Sequence, residues 1–276
     1  MDDTRSPLAP GAARKPRISK SIAVRLTLLV CAVLLLAGLM STIRYNWDWW
    51  VVWRYRELFL NGLLMTVLIS CGAIVLGLAI GLAFGLARVS ENVWLKEAAT
   101  LYVWGFRGTP LLTQIYILYF CIAVLVHVDN KILVGMAALA LFSGAYITEM
   151  VRAGIESISP GQWEAARSTG LSHGQTLRLV IFPQAARRII APVTGQFVSL
   201  IKDSSLLSVI AVSELTYGAR LVDARTSRTF EAYLPLAVFY LLLTFPLSLL
   251  TQRLEKRIQY RSTPLSAPSQ TTGAPS

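Results

Sequence analysis

Histidine occurs only twice in these 276 residues and cysteine only three times. His127 and His173 stand apart in the sequence, and Cys31, Cys71 and Cys121 have no metal-ligand spacing, so neither a zinc site nor a disulfide framework is expected. The cysteines lie in or beside apolar runs and read as small buried apolar residues. No Gly-x4-Gly-Lys-Ser/Thr loop is present, which excludes a conventional ATP phosphate cradle in this chain. No nucleophile, base and orienting group converge in the pattern, so an enzyme is the least expected class. Charge is scarce, at 15% of residues against 54% hydrophobic. Acidic residues are scarcer still, with 15 Asp and Glu against 26 Lys and Arg. No basic segment interleaves with aromatics to stack nucleobases, so nucleic acid is not an expected partner.

What the sequence does have is long apolar runs. About 20 such residues cross a bilayer core of about 30 Å as a helix. The tail 1–21, rich in Pro, Ala, Arg and Lys, lacks core-forming periodicity and is expected to be disordered. The run 22–43 reads as a first span. A secretory signal is the alternative, but the run is longer than a signal core and lacks a clear small-x-small cleavage site. Trp47 to Arg56, with four tryptophans, has the aromatic content of a membrane-surface segment. Further spans are expected at 58–87, 109–126, 132–151, 192–212 and 233–251, with a disordered tail at 258–276. Gly77, Gly81 and Gly85 recur every four residues on one face of the 58–87 helix, predicting a close packing seam that could serve pairing with a second copy or with a related permease.

Basic residues orient these spans. The N-terminal tail through Arg25, the loop Arg88 to Arg107, the loop Arg152 to Arg188 and the C-terminal segment hold 18 of the 26 Lys and Arg. The positive-inside rule then places both termini and the Arg152 to Arg188 loop in the cytoplasm. Removing the first span would not change that.

The longest internal connection, 153–190, is too polar to cross and too well patterned to be slack. Pro160 and Gly161 break the preceding helix, and Gln162-Trp163-Glu164-Ala165-Ala166-Arg167 starts another. Gly170 ends it, Ser172 is placed to cap a second short helix, and Pro183 punctuates its far end.

Here the sequence resembles the permease subunits of bacterial binding-protein-dependent ABC importers. Their signature is Glu-Ala-Ala, three residues, Gly, nine residues, Ile, any residue, Leu, Pro. Glu164, Ala165, Ala166, Gly170 and Pro183 match it, with Val180 and Phe182 as apolar substitutes in the Ile and Leu places. Asn61-Gly62 with Thr66, Phe106 to Leu111, Ala145-Tyr146 with Glu149 and Arg152, and Lys202 to Leu206 look like the polar amino acid branch. The resemblance covers 58–257. It implies an all-α polytopic membrane protein with five core transmembrane helices, to which 22–43 adds one at the N-terminus. It further implies location in the bacterial cytoplasmic (inner) membrane and a second permease copy or a related permease. Partner ABC ATPase subunits would bind ATP and Mg, no cofactor would be bound by this chain, and an extracytoplasmic binding protein would deliver the amino acid. Trp163, Glu164, Ala165, Ala166, Gly170 and Pro183 would form the ATPase-coupling loop.

Ionisable groups inside a span are costly unless they face protein or water, so they mark candidate pathway residues. Glu149, Lys202, Asp203, Thr109, Gln114 and Ser204 form that set. The alternative is that they make fixed structural ion pairs or lie nearer the cytoplasmic interface. Lys202 and Asp203 are expected near the middle of their span, with Glu149 pairing Lys202 and Arg152 pairing Asp203. Thr109 and Pro110 read as a helix start. An ion-gradient transporter would need more spans and an internal repeat, neither of which is visible. A membrane anchor that uses the loop only to dock a protein is the other alternative.

Overall fold

The computed structural model describes residues 45–262, with side chains to 255, and scattered positions between Ala23 and Gly38. Two compact units divide the chain, Met1–Trp47 and Asp48–Ser276. In the first, the described positions between Ala23 and Gly38 are helical, and the Thr27 hydroxyl donates to the Ala23 carbonyl at 3.0 Å. The rest of the expected first span and both expected tails up to residue 21 and beyond 262 lie outside the described residues.

The second unit is built from helices alone among the described residues. A short α1 (Trp50–Arg54) leads into α2 (Arg56–Arg88), and α3 covers Val93–Arg107. Next, α4 (Leu111–Tyr116) continues in wider π geometry over Ile117–Ala123. The long α5 (Lys131–Glu156) is followed by α6 (Pro160–Ser168) and α7 (His173–Thr176). A π segment, Leu177–Ile181, feeds α8 (Phe182–Asp203), which tightens into a 3-10 stretch over Ser204–Ile210. α9 (Leu215–Thr226) and α10 (Thr229–Ser262) complete the unit. Asparagine side chains start two of these helices: Asn92 Oδ1 accepts from the Trp94 amide at 2.9 Å, and Asn130 Oδ1 from the Ile132 amide at 3.1 Å.

Three helices, α2, α5 and α10, are long and apolar enough to cross a membrane, and Leu111–Ala123 is a shorter apolar one. The glycine row of α2 packs on α5. A Cβ at Gly81 would lie 2.5 Å from Ile147 Cβ, and one at Gly85 would lie 2.5 Å from Val151 Cβ. At Gly77 the obstacle would be Ser143 Oγ. The seam is therefore internal to the chain. In lipid such contacts hold helices by close packing, since tails are as apolar as leucine. Around the seam Ile69, Ala73, Ile115, Leu139, Ile147, Leu200 and Leu207 are buried together.

Four sequence expectations are corrected. The Arg88 to Arg107 connection is mostly the helix α3, started by the Asn92 cap and carried by Lys96-Glu97-Ala98-Ala99. The span expected at 192–212 is helical over Phe182–Asp203, because Pro183 sits in the first turn, where its missing N–H is not needed, and Pro192 is accommodated in the interior. This puts Lys202 and Asp203 at the end of α8, where it passes into the 3-10 stretch. The three cysteines are free and exposed, not buried as expected. Finally, α10 runs to Ser262, into the segment expected as tail from 258.

Candidate coupling loop and polar clusters

The loop between α5 and α8 is ordered by its own sequence. Pro160 occupies the first turn of α6, and Gly170 follows that helix at φ 84°, with its amide donating to the Arg167 carbonyl at 2.9 Å. That left-handed conformation costs any other residue, which is why glycine stands here. Ser172 and Gln175 then form a reciprocal cap: Gln175 Oε1 accepts from the Ser172 amide at 2.9 Å, while Ser172 Oγ accepts from the Gln175 amide at 3.4 Å.

Two contacts hold α6 against its neighbours, and a third closes the loop behind it. Trp163 packs on the core and stacks with His173, ring centroids 5.3 Å apart. Gln184 Nε2 of α8 donates to Gln162 Oε1 at 3.2 Å. Arg188 Nη1 donates to both the carbonyl and the hydroxyl of Ser157, at 2.6 and 2.8 Å. Ala166 is buried, whereas Glu164, Ala165, Gly170 and Pro183 are exposed. The helix thus presents Glu164 and Ala165 outward, with Arg167 exposed beside them, while Trp163 and Ala166 turn toward the chain.

Above the loop, Glu149 of α5 gathers arginines from three helices. Arg152 Nη2 lies 2.8 Å from its Oε2, Arg88 Nη2 lies 3.2 Å from Oε1, and Arg107 Nη1 lies 3.8 Å from Oε2. Arg152 also reaches Glu156 at 2.5 Å, Arg88 donates to the Thr100 hydroxyl, and the Arg107 guanidinium lies over the Tyr146 ring at 5.0 Å. The pairs expected from sequence, Glu149 with Lys202 and Arg152 with Asp203, do not form. Arginines at the ends of α2 and α3 fold back onto α5 and meet the carboxylate first. Sequence reasoning missed Arg88, Arg107 and Glu156 here; the Glu149, Arg152, Glu156 spacing of three and four was the available signal.

The other candidate pathway residues fall into two groups. Gln114 Nε2 donates to Thr109 Oγ1 at 2.8 Å and to the Phe106 carbonyl at 2.8 Å, bridging the break between α3 and α4. The Thr109 hydroxyl turns back to the Gly105 carbonyl at 2.8 Å, so it does not cap α4 as expected. Gln114 Oε1 is buried without a partner beside a cavity of about 190 Å³ lined by Thr109, Phe106 and Ile122. On α8, Lys202 is exposed, Asp203 is half-buried and Ser204 is buried, its hydroxyl donating to the Ile201 carbonyl at 2.7 Å. Among the described residues no hydrogen bond or ion pair joins the two groups.

From Ser204 the helix tightens to 3-10 form, and it ends at Ala211, which turns at φ 56°. Lys131 donates to the Ala211 carbonyl and Arg220 Nη1 to the Ser208 carbonyl at 3.2 Å, satisfying this broken end. Glu214, fully buried, caps α9 by accepting from the amides of Thr216 and Tyr217 at 2.8 and 2.7 Å, and also accepts from the Tyr240 hydroxyl at 3.1 Å. Gly62 lets α2 meet this turn, since a Cβ there would lie 2.8 Å from Leu215 Cα, and Thr66 Oγ1 accepts from the Leu215 amide at 3.1 Å. No His, Cys, Asp and Glu cluster suited to a metal occurs among the described residues.

Comparison with known proteins gives a consistent picture. Residues 73–260 match the family described as binding-protein-dependent transport system inner membrane component. The probable glutamine ABC transporter permease protein GlnM of Bacillus subtilis is 38% identical over 205 residues, covering 74% of this chain and 93% of that protein. The glutamine transport system permease protein GlnP of Escherichia coli is 36% identical over 217 residues, covering 78% and 99%. Among solved structures, an amino acid ABC transporter crystallised with histidines superposes with a TM-score of 0.72 at 35% identity, over 77% of this chain and all of that one. The MetNI methionine ABC transporter, at 19% identity and a TM-score of 0.65, shares the fold.

Proposed function

This chain belongs to the family of binding-protein-dependent transport system inner membrane components, and from that premise we propose how it serves as the permease of an ATP-driven importer of polar amino acids. The observation that carries the proposal is α6: a short helix with an exposed Glu164-Ala165 face, packed through Trp163 on the core and bonded through Gln162 to α8, which the Arg188 clasp in turn ties to the exit of the long apolar helix α5. Small side chains permit close approach of a partner, and Glu164 offers a charge to a basic group on it. The partner is an ABC ATPase subunit that binds ATP and Mg. Its closure pushes α6, Gln184 passes the displacement to α8, and Arg188 couples α8 to the exit of α5.

The basic-residue distribution supports a cytoplasmic α6 loop and cytoplasmic termini, five core spans and an added first one. Thr109, Gln114, Lys202, Asp203 and Ser204 form the solute pathway. Asp203 suits an ammonium and Lys202 a carboxylate, the two charges that every amino acid carries. Glu149 lies at the inner end of that pathway, its charge balanced by the three arginines until the spans move. An extracytoplasmic binding protein delivers the solute, and a second permease completes the assembly.

Reconstitution of the chain with its ATPase and binding protein in vesicles tests this reading. ATP-dependent uptake of a polar amino acid such as glutamine is expected; ATP hydrolysis unaffected by the loaded binding protein, with no uptake of any polar amino acid, contradicts it.

A further inference from the structure

A cleft of about 370 Å³ opens between the α2–α3 turn and the coupling helix, lined in part by Arg88, Ser90, Lys96, Glu156, Arg167 and His173. Arg88 is already paired with Glu149 at 3.2 Å and Glu156 with Arg152 at 2.5 Å, while at the edge Glu91 Oε1 lies 3.3 Å from His173 Nδ1; Lys96 and Arg167 are the permanent cations left to the cleft. Lys96 is exposed, and Arg167 Nη2 lies 3.2 Å from His173 Nδ1, so neither is neutralised within the cleft by an ion pair the structure records. Arg88 Nε and His173 Nε2 are both buried without a hydrogen-bond partner, so the wall has not exhausted its polar capacity internally. Such a concentration of cations in a walled recess attracts an anion more strongly than the same charges on a flat surface.

The neighbouring helix points to the anion's source. Trp94, Leu101 and Trp104 of α3 are 85%, 65% and 69% exposed, an apolar face beginning one turn from Lys96. A helix with an aromatic face on one side and cations on the other lies in the plane of a membrane interface. Basic pockets between helices at the cytoplasmic surface receive phospholipid headgroups.

We infer that this cleft is a phosphate-ester site, filled by the headgroup of an anionic phospholipid whose tails lie along the exposed face of α3. Lys96 and Arg167 hold the phosphate from opposite walls, so the lipid ties α3 to the coupling helix. The orientation rests on the cytoplasmic placement of α6 proposed above. A soluble phosphate in the same cleft would use the same cations.

The test uses the whole complex, with its ATPase, purified in a neutral detergent and incubated separately with phosphatidylglycerol, phosphatidylcholine or inorganic phosphate. Native mass spectrometry reads retained lipid and thermal melting reads stabilisation. Phosphatidylglycerol is retained and phosphatidylcholine is not; retention falls several-fold in Lys96→Ala, further in Lys96→Glu and also in Arg167→Ala, and is unchanged in Arg253→Ala. Should inorganic phosphate alone raise the melting temperature, and not in Lys96→Glu, the site stands with a soluble ligand. Equal retention of phosphatidylglycerol in wild type, Lys96→Glu and Arg167→Ala overturns the site, as does equal retention of the two lipids. Uptake measured in vesicles in parallel separates the two ideas: intact uptake with no anion effect overturns the cleft alone, and anion binding without uptake overturns the transport reading alone.

Discussion

The Arg188 side chain closes the coupling loop by donating to both the carbonyl and the hydroxyl of Ser157, at 2.6 and 2.8 Å. Two positions 31 residues apart, the exit of α5 and the body of α8, are thereby held together at the base of α6. Arg188 is exposed, so the bond's contribution to stability is small, about 1 kcal/mol or less. Its effect is expected in transmission. Arg188→Ala lowers amino acid uptake per ATP hydrolysed several-fold while the melting temperature shifts little, which paired uptake and phosphate-release assays on one vesicle preparation would measure.

Glu149 makes a different kind of prediction. Its side chain is 18% exposed and meets three guanidinium groups, so Glu149→Gln leaves clustered, partly buried cations without their counter-charge. The cluster is only partly buried, so solvent screening holds the cost to about 1–2 kcal/mol, below that of a fully buried pair. The solubilised protein should melt clearly lower, and Glu149→Asp should recover part of the loss. A melting curve for Glu149→Gln that overlays the wild type would show that the cluster holds nothing together.

The glycine seam can be tested by size alone. Gly81→Ala drives a methyl to 2.5 Å from Ile147 Cβ, an overpacking that costs about 1–3 kcal/mol, whereas a Cβ at Gly105 meets nothing within 4 Å. Thermal unfolding in detergent should therefore fall for Gly81→Ala and stay level for Gly105→Ala.

Gly170 and Gly174 form a second matched pair. A methyl added at either position meets open space, but only Gly170 has positive φ, at 84°. Gly170→Ala is expected to cost about 1 kcal/mol in backbone strain and to reduce uptake by displacing α7, and Gly174→Ala to do neither. Equal uptake in the two variants would remove the backbone argument.

The loop was legible in the sequence because its signals are local. Pro160, Gly170 and the Ser172 cap each act within a turn of their own position, and all three behave as read. The apolar lengths of α2, α5 and α10 were legible for the same reason. What could not be read was pairing across the fold. Arg88 and Arg107 were counted as loop charges, yet helix ends bring both to Glu149, and no spacing along the chain encodes that meeting. The span expected over 192–212 was bounded at Pro192, whereas α8 begins at Phe182 and carries that proline midway. Glu214 escaped notice because a capping carboxylate looks like any loop acid until Tyr240 and Gly62 close around it.

The central claim is that α6 receives the ATPase's motion through the exposed Glu164 face. Its most direct measurement is amino acid uptake against ATP hydrolysis for Glu164→Ala in vesicles containing the full complex. Hydrolysis that persists while uptake falls several-fold is the result expected; uptake and hydrolysis both equal to the wild type would contradict it.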